Sequence, residues 1–307
     1  MRTCFGARVG VAMTSFLGET HMPLYADVVG HRLPEQRLRV TPRMALAYAA
    51  GIGDQSSVCA DDMSPGFMAH PAFCVSPEWR LVLQNRMSGM GLTPDETMRG
   101  VHAGQNSRFF SPIRPGSDIR VTGEVVEVRG TKAGALVRTR LEIEEAETAE
   151  PLCSTLTTAL YRGVAAVGAA SAADSLEDVT ETWSAPATSA RVTLPLDRMF
   201  AHRYSECADI WNPIHTERRA ALAAGLPDII VHGTALWALA GRELIGAYTP
   251  DEPQRLKSLN GRFSAMVIAG EPITIVHGKG SSPGEVMFSV LNAAGEEAVS
   301  RGVAHIG

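Results

Sequence analysis

The chain has 307 residues, enough for about two domains of ordinary size. With 45% hydrophobic and 20% charged residues it has a globular composition, and a net charge of −5 without a basic run gives no footprint for nucleic acid. Five cysteines (Cys4, Cys59, Cys74, Cys153, Cys207), odd in number and without CxxC spacing, point to reduced thiols in the cytoplasm rather than to disulfides or a zinc site.

Residues 1–35 read as an N-terminal extension. Arg8 interrupts its apolar run, which argues against a signal peptide, and the longest apolar stretch, Ile229 to Gly241, is too short to span a bilayer. Gln36 to Val40 alternates as a strand does. Thr41-Pro42 then opens a helix for which Gly51 is the expected stop. Gln55 to Met68 reads as a loop, and Pro94 to Glu96 as a turn. From His102 the period shifts to that of strands, with His102 to Phe110, Ile119 to Arg129, Ala135 to Glu144 and Leu152 to Tyr161. This helix-then-strands order fills residues 36–163 and indicates an α+β domain.

Residues 164–190 are small and acidic with little periodicity, as expected of a linker. The order then repeats over 191–307. A short strand at Val192 to Leu194 and a helical stretch from 204 to 239 precede strands at Leu256–Phe263, Ile273–Lys279, Glu285–Leu291 and Ala298–His305. Asn106-Ser-Arg108-Phe109 matches Asn260-Gly-Arg262-Phe263 at an offset of 260 − 106 = 154. The glycines Gly116 and Gly270 keep that offset (270 − 116 = 154), so the chain reads as two copies of one unit.

Chemistry-bearing residues concentrate between Tyr204 and Leu239. Asp209, Asn212, Pro213 and His215 lie within seven residues, and Val231-His232-Gly233 opens an apolar helix shortly after. An imidazole suits proton transfer near neutrality, and a helix start offers free N–H groups to a developing oxyanion. His215 is the expected acid–base group and Gly233 the expected oxyanion donor. His232 and Asn212 either support the site or shape its turns. Arg108 and Arg262 either meet phosphates or support the sheet.

The run Asn212-Pro213-Ile214-His215, followed by Ala220, Gly225, Pro227 and Val231-His232-Gly233, resembles the signature of MaoC-like enoyl thioester hydratases and dehydratases. Ala47 to Gly53 and His102, Gln105, Pro112 and Pro115-Gly116 are similar to landmarks of the degenerate half of two-domain members. The resemblance implies a double hot-dog, each half an antiparallel sheet wrapped around a central helix, with the first half binding acyl groups. It implies reversible hydration of an α,β-unsaturated acyl thioester, on coenzyme A or a carrier protein, without metal or redox cofactor, and pairing into a homodimer. It also implies an acid five residues before the histidine. That position is Ile210, and Asp209 stands six before (215 − 209 = 6). Asp209 on a shifted turn, or Glu206, is then the expected carboxylate. A thioesterase on the same fold, or an acyl-thioester-binding protein without hydration, are the alternatives.

Overall fold

The computed structural model describes residues 23–88, 90–172, 183–186 and 188–307. The start of the extension and much of the linker, 173–182 and 187, lie outside the described residues. In the first half β1 (Leu24–Tyr25) and β2 (Arg32–Arg39) precede α1 (Pro42–Ile52), α2 (Ser57–Ala60), α3 (Val75–Ser88) and α4 (Pro94–Met98). Then come β3 (Gly100–Phe109), β4 (Asp118–Thr131), β5 (Gly134–Glu145), β6 (Pro151–Arg162) and the short β7 (Ala166–Val167) and β8 (Ala170–Ser171). The second half runs β9 (Ala190–Leu194), α5 (Phe200–Ala208), α6 (Arg218–Ala223), α7 (Gly233–Tyr248), β10 (Leu256–Phe263), β11 (Ile273–Lys279), β12 (Glu285–Leu291) and β13 (Glu297–Ile306).

The main sheet runs β2-β4-β5-β6-β3 and continues β10-β13-β12-β11-β9, so the second half repeats the first in mirrored order. The halves join where β3 meets β10 antiparallel, with Asn106 opposite Asn260. These are the residues that anchor the 154-residue repeat. A pseudo-twofold axis therefore passes through that pair, and each half presents its helix start to a wall supplied partly by the other. The sheet wraps α7, whose Leu236, Trp237, Leu239 and Leu244 are at most 2% exposed. From Thr234 to Gly241 every residue is buried, because protein surrounds that stretch on every side.

Three local expectations are corrected. The first helix passes Gly51 and stops at Gly53, which adopts φ 67° and bonds back to the Ala49 and Ala50 carbonyls. Gly51 serves helix packing instead, since a Cβ there would lie 2.7 Å from Cβ of Cys207 on α5. The expected loop at 55–68 contains α2, and the expected turn at Pro94 is the first turn of α4. Thr93 and Glu96 close that helix end reciprocally, Thr93 Oγ1 accepting from the Glu96 N–H and the Glu96 carboxylate from the Thr93 N–H.

Glu78, on α3, is 2% exposed and bonded to Thr155 Oγ1 (2.6 Å) and Gln105 Nε2 (3.1 Å), beside the thiols of Cys74 and Cys153. Burial raises its carboxyl from 4.5 to about 8, leaving it neutral at pH 7. The folded state then holds a proton that the unfolded chain has released, and stability falls as pH rises between those two values. Glu78→Gln, which cannot ionise, is expected to remove this slope of at most about 1.4 kcal/mol per pH unit. Urea unfolding of both proteins at several pH values across the window checks it.

Candidate active site

The site begins where α5 ends. Asp209 closes that helix in the left-handed region (φ 54°), a conformation that Asp tolerates better than most residues. The chain turns there, and Ile210 enters the core at 3% exposure. Asn212 then caps a single 3-10 turn, Pro213–His215, its Oδ1 accepting from the Ile214 N–H at 3.4 Å. Proline supplies the φ that the first position of such a turn needs. The Asn-Pro pair thus fixes where His215 emerges.

His215 Nδ1 donates to the Ile230 carbonyl at 2.8 Å. That strip is itself held, because Val231 N donates to Val267 O and Ala269 N to Ile229 O. With Nδ1 carrying the proton, Nε2 keeps the lone pair, which is the tautomer a base requires. Burial, partly offset by the bond to Ile230, lowers the imidazole from 6.5 to about 4, so it is neutral at physiological pH.

His232 caps α7, and its ring stacks on His215 with centroids 3.7 Å apart and planes 25° off parallel. Its Nε2 donates to the Ile210 carbonyl (3.3 Å) and lies 3.1 Å from Ser205 Oγ, while Tyr204 tilts against the ring at 5.0 Å. Burial, then the neighbouring His215, hold it well below the usual histidine value. Stacked protonated rings would repel each other, so the pair is stable in the neutral form. Gly233 is the first residue of α7, where backbone N–H groups have no intrahelical partner. A Cβ on it would come within 2.9 Å of the Phe263 ring. His102 of the first half meets that ring edge-on at 4.9 Å, so both halves wall the helix start.

His215, His232 and Gly233 come together, and Asn212 builds the turn beneath them. Asp209 is not brought to them. Its carboxylate is 61% exposed and forms an ion pair with Arg80 on α3, Arg80 Nε lying 3.1 Å away. Glu206 is exposed on α5. Among the described residues no hydrogen bond or ion pair joins either carboxylate to His215. The left-handed residue is the physical reason: it directs Asp209 outward and spends the next side chain, Ile210, on the core. In the β3–β10 ladder Arg108 lies opposite Ser258 and Arg262 opposite Gly104, placing both arginines at the seam between the halves. Ser205 and Tyr204 contact His232, but their spacing of 27 and 28 residues from it follows no pattern that marks them in the sequence. Asp209→Asn is expected to change turnover less than about fivefold, since an exposed ion pair contributes at most about 1 kcal/mol. Steady-state kinetics beside the parent chain checks this.

Residues 186–282 match the MaoC like domain, and residues 38–163 match the MFE-2 hydratase 2 N-terminal domain. The second half thus carries a MaoC-like domain behind a hydratase 2 N-terminal domain. Its fold is the double hot-dog. A solved MaoC-like dehydratase from Phytophthora capsici superposes with a TM-score of 0.77 at 18% identity, covering 92% of this chain and 97% of that one. The probable enoyl-CoA hydratase 2 of Dictyostelium discoideum is 23% identical over 91% of this chain and 95% of its own. Peroxisomal multifunctional enzyme type 2 of Mus musculus is 20% identical over 81% of this chain, which spans only 34% of that protein. Among the described residues no helix is long and apolar enough to cross a membrane.

Proposed function

We propose that this MaoC-like chain is a hydro-lyase that adds water to an α,β-unsaturated acyl thioester or removes it from the 3-hydroxyacyl form. The observation that carries this reading is the neutral His215, its Nδ1 tied to Ile230, stacked against the residue that caps the Gly233 helix start. In the hydration direction Nε2 of His215 takes a proton from water as the water oxygen bonds to the β-carbon. Charge moves to the thioester oxygen, where an N–H at the start of α7 meets it, and the imidazolium returns the proton to the α-carbon. One base thus suffices, and its lowered pKa makes the imidazolium a ready donor for the return step. The names of the relatives, enoyl-CoA hydratase among them, support the same chemistry.

This proton transfer calls for no metal or redox group, and coenzyme A or phosphopantetheine enters only as part of the substrate. We extend the proposal to a homodimer, supported by the open edges at β2 and β9 where the sheet path ends. It extends also to a cytoplasmic setting, supported by the free Cys59, Cys74, Cys153 and Cys207. A carrier-protein-borne substrate is the remaining extension, and parallel assays on CoA and carrier-bound substrates address it. Thioester hydrolysis is disfavoured because it calls for a carboxylate at the reacting carbonyl, and Asp209, the acid expected there, is held by Arg80. The deciding experiment incubates the protein with crotonyl-CoA and longer enoyl-CoA substrates. Loss of the enoyl absorbance with formation of the 3-hydroxy thioester supports the reading. Release of free coenzyme A without a hydroxyl product overturns it.

A further inference from the structure

The pseudo-twofold axis places a counterpart of the His232–Gly233 helix start in the first half, and a cavity lies there. His70 caps the turn Pro71–Cys74 that leads into α3, as His232 caps α7. Tyr48 stacks on His70 as Tyr204 leans on His232. At the repeat offset Phe109 stands for Phe263 (263 − 109 = 154), and Leu256 of the second half stands for His102 of the first (256 − 102 = 154). Around these residues is a cavity of about 140 Å³, lined by His70, Pro71, Phe109, Ile113, Leu152 and Leu256, with the exposed Lys257 on its border. Its walls are mainly apolar. Its volume is close to that of an engineered apolar cavity, about 150 Å³, that holds benzene, which suits an acyl chain of about four to six carbons.

The chemistry of the other site is missing. Pro71 has no N–H where Gly233 offers one. His70 Nδ1 accepts from the Ala72 N–H (3.1 Å), and α2 occupies the place in the order that the Pro213–His215 turn holds in the second half. The shape of a thioester pocket is kept while the oxyanion donor and the base are lost. We infer that this cavity binds the acyl group of a second acyl thioester without turning it over, with Lys257 facing its anionic carrier arm. This rests on the thioester reading above. Such a site gives the first half a ligand of its own, making it more than a wall for the catalytic half.

The test titrates the protein calorimetrically with hexanoyl-CoA, which has no double bond to hydrate, and follows crotonyl-CoA hydration in parallel. A second bound equivalent is expected. Ala69 also lines the cavity, and Ala69→Leu, which fills it, should abolish that equivalent alone. Lys257→Ala, at an exposed position that leaves the core untouched, should weaken it about fivefold, as an exposed ion pair allows. Both variants should keep their hydration rate at low substrate. A single equivalent in the parent protein overturns the inference, as does a second one that neither variant disturbs, and in both cases the hydratase reading stands if hydration proceeds. Absence of both binding and hydration removes the two together. Should Ala69→Leu fail to fold by circular dichroism, Lys257→Ala decides.

Discussion

His215→Ala is expected to lower the hydration rate by about 10²- to 10⁴-fold, the range that a positioned acid–base group supplies. The loss should fall on kcat, with KM little changed, because the imidazole acts on water rather than on the acyl chain. The turn beneath it should survive, since the Asn212 cap and Pro213 hold Pro213–His215 without the ring. The pH profile of the parent protein should carry the signature of burial. The active form is neutral, so activity rises with pH through the lowered value of about 4 and stays level across neutrality, instead of rising near 6.5. Folding stability should follow the same sign: the unfolded chain takes up the proton first, so stability is lost as pH falls from 6.5 towards 4. Full activity in the alanine variant, or an acid limb near 6.5, would count against His215 as the base.

What the sequence revealed and what it hid divide along the distance of the interactions. The strands at Leu256–Phe263, Ile273–Lys279 and Glu285–Leu291 are found at the bounds that alternation indicated, because local period alone decides which face is buried. The 154-residue offset was readable from four residues around Asn106 and Asn260, and the fold turns it into a symmetry axis at their pairing. Asn212-Pro213 announced the turn under His215 because capping acts over two or three residues. The fate of Asp209 was not readable in this way. A six-residue spacing leaves its direction open, and the left-handed end of α5 together with Arg80, 129 residues away, decides it. The burial of Glu78 likewise has no local signal. Only Gln105 and Thr155, arriving from β3 and β6, make it an interior residue.

The same contrast between local and long-range effects sets the expectation for Gly233. Gly233→Pro should leave α7 in place, since proline is accepted at a first helical position and Pro71 occupies the counterpart in the first half. It removes the one N–H that a hydratase needs there, and losing such a donor costs about 10²- to 10³-fold in kcat. Any side chain at 233 also presses on Phe263, which an ideal Cβ would approach to 2.9 Å. Gly233→Ala is therefore the necessary companion: it adds the same Cβ and keeps the N–H. Crowding acts in both variants, so the ratio of their kcat values isolates the donor. A ratio near 100 or above assigns the oxyanion to the helix start, on the magnitude such donors show. Equal losses in the two variants would instead make Gly233 a packing residue that lets Phe263, and behind it His102 of the other half, close against the helix. In that case the negative charge would have to be met elsewhere, and the proposed one-base route through His215 would lack its electrophilic partner.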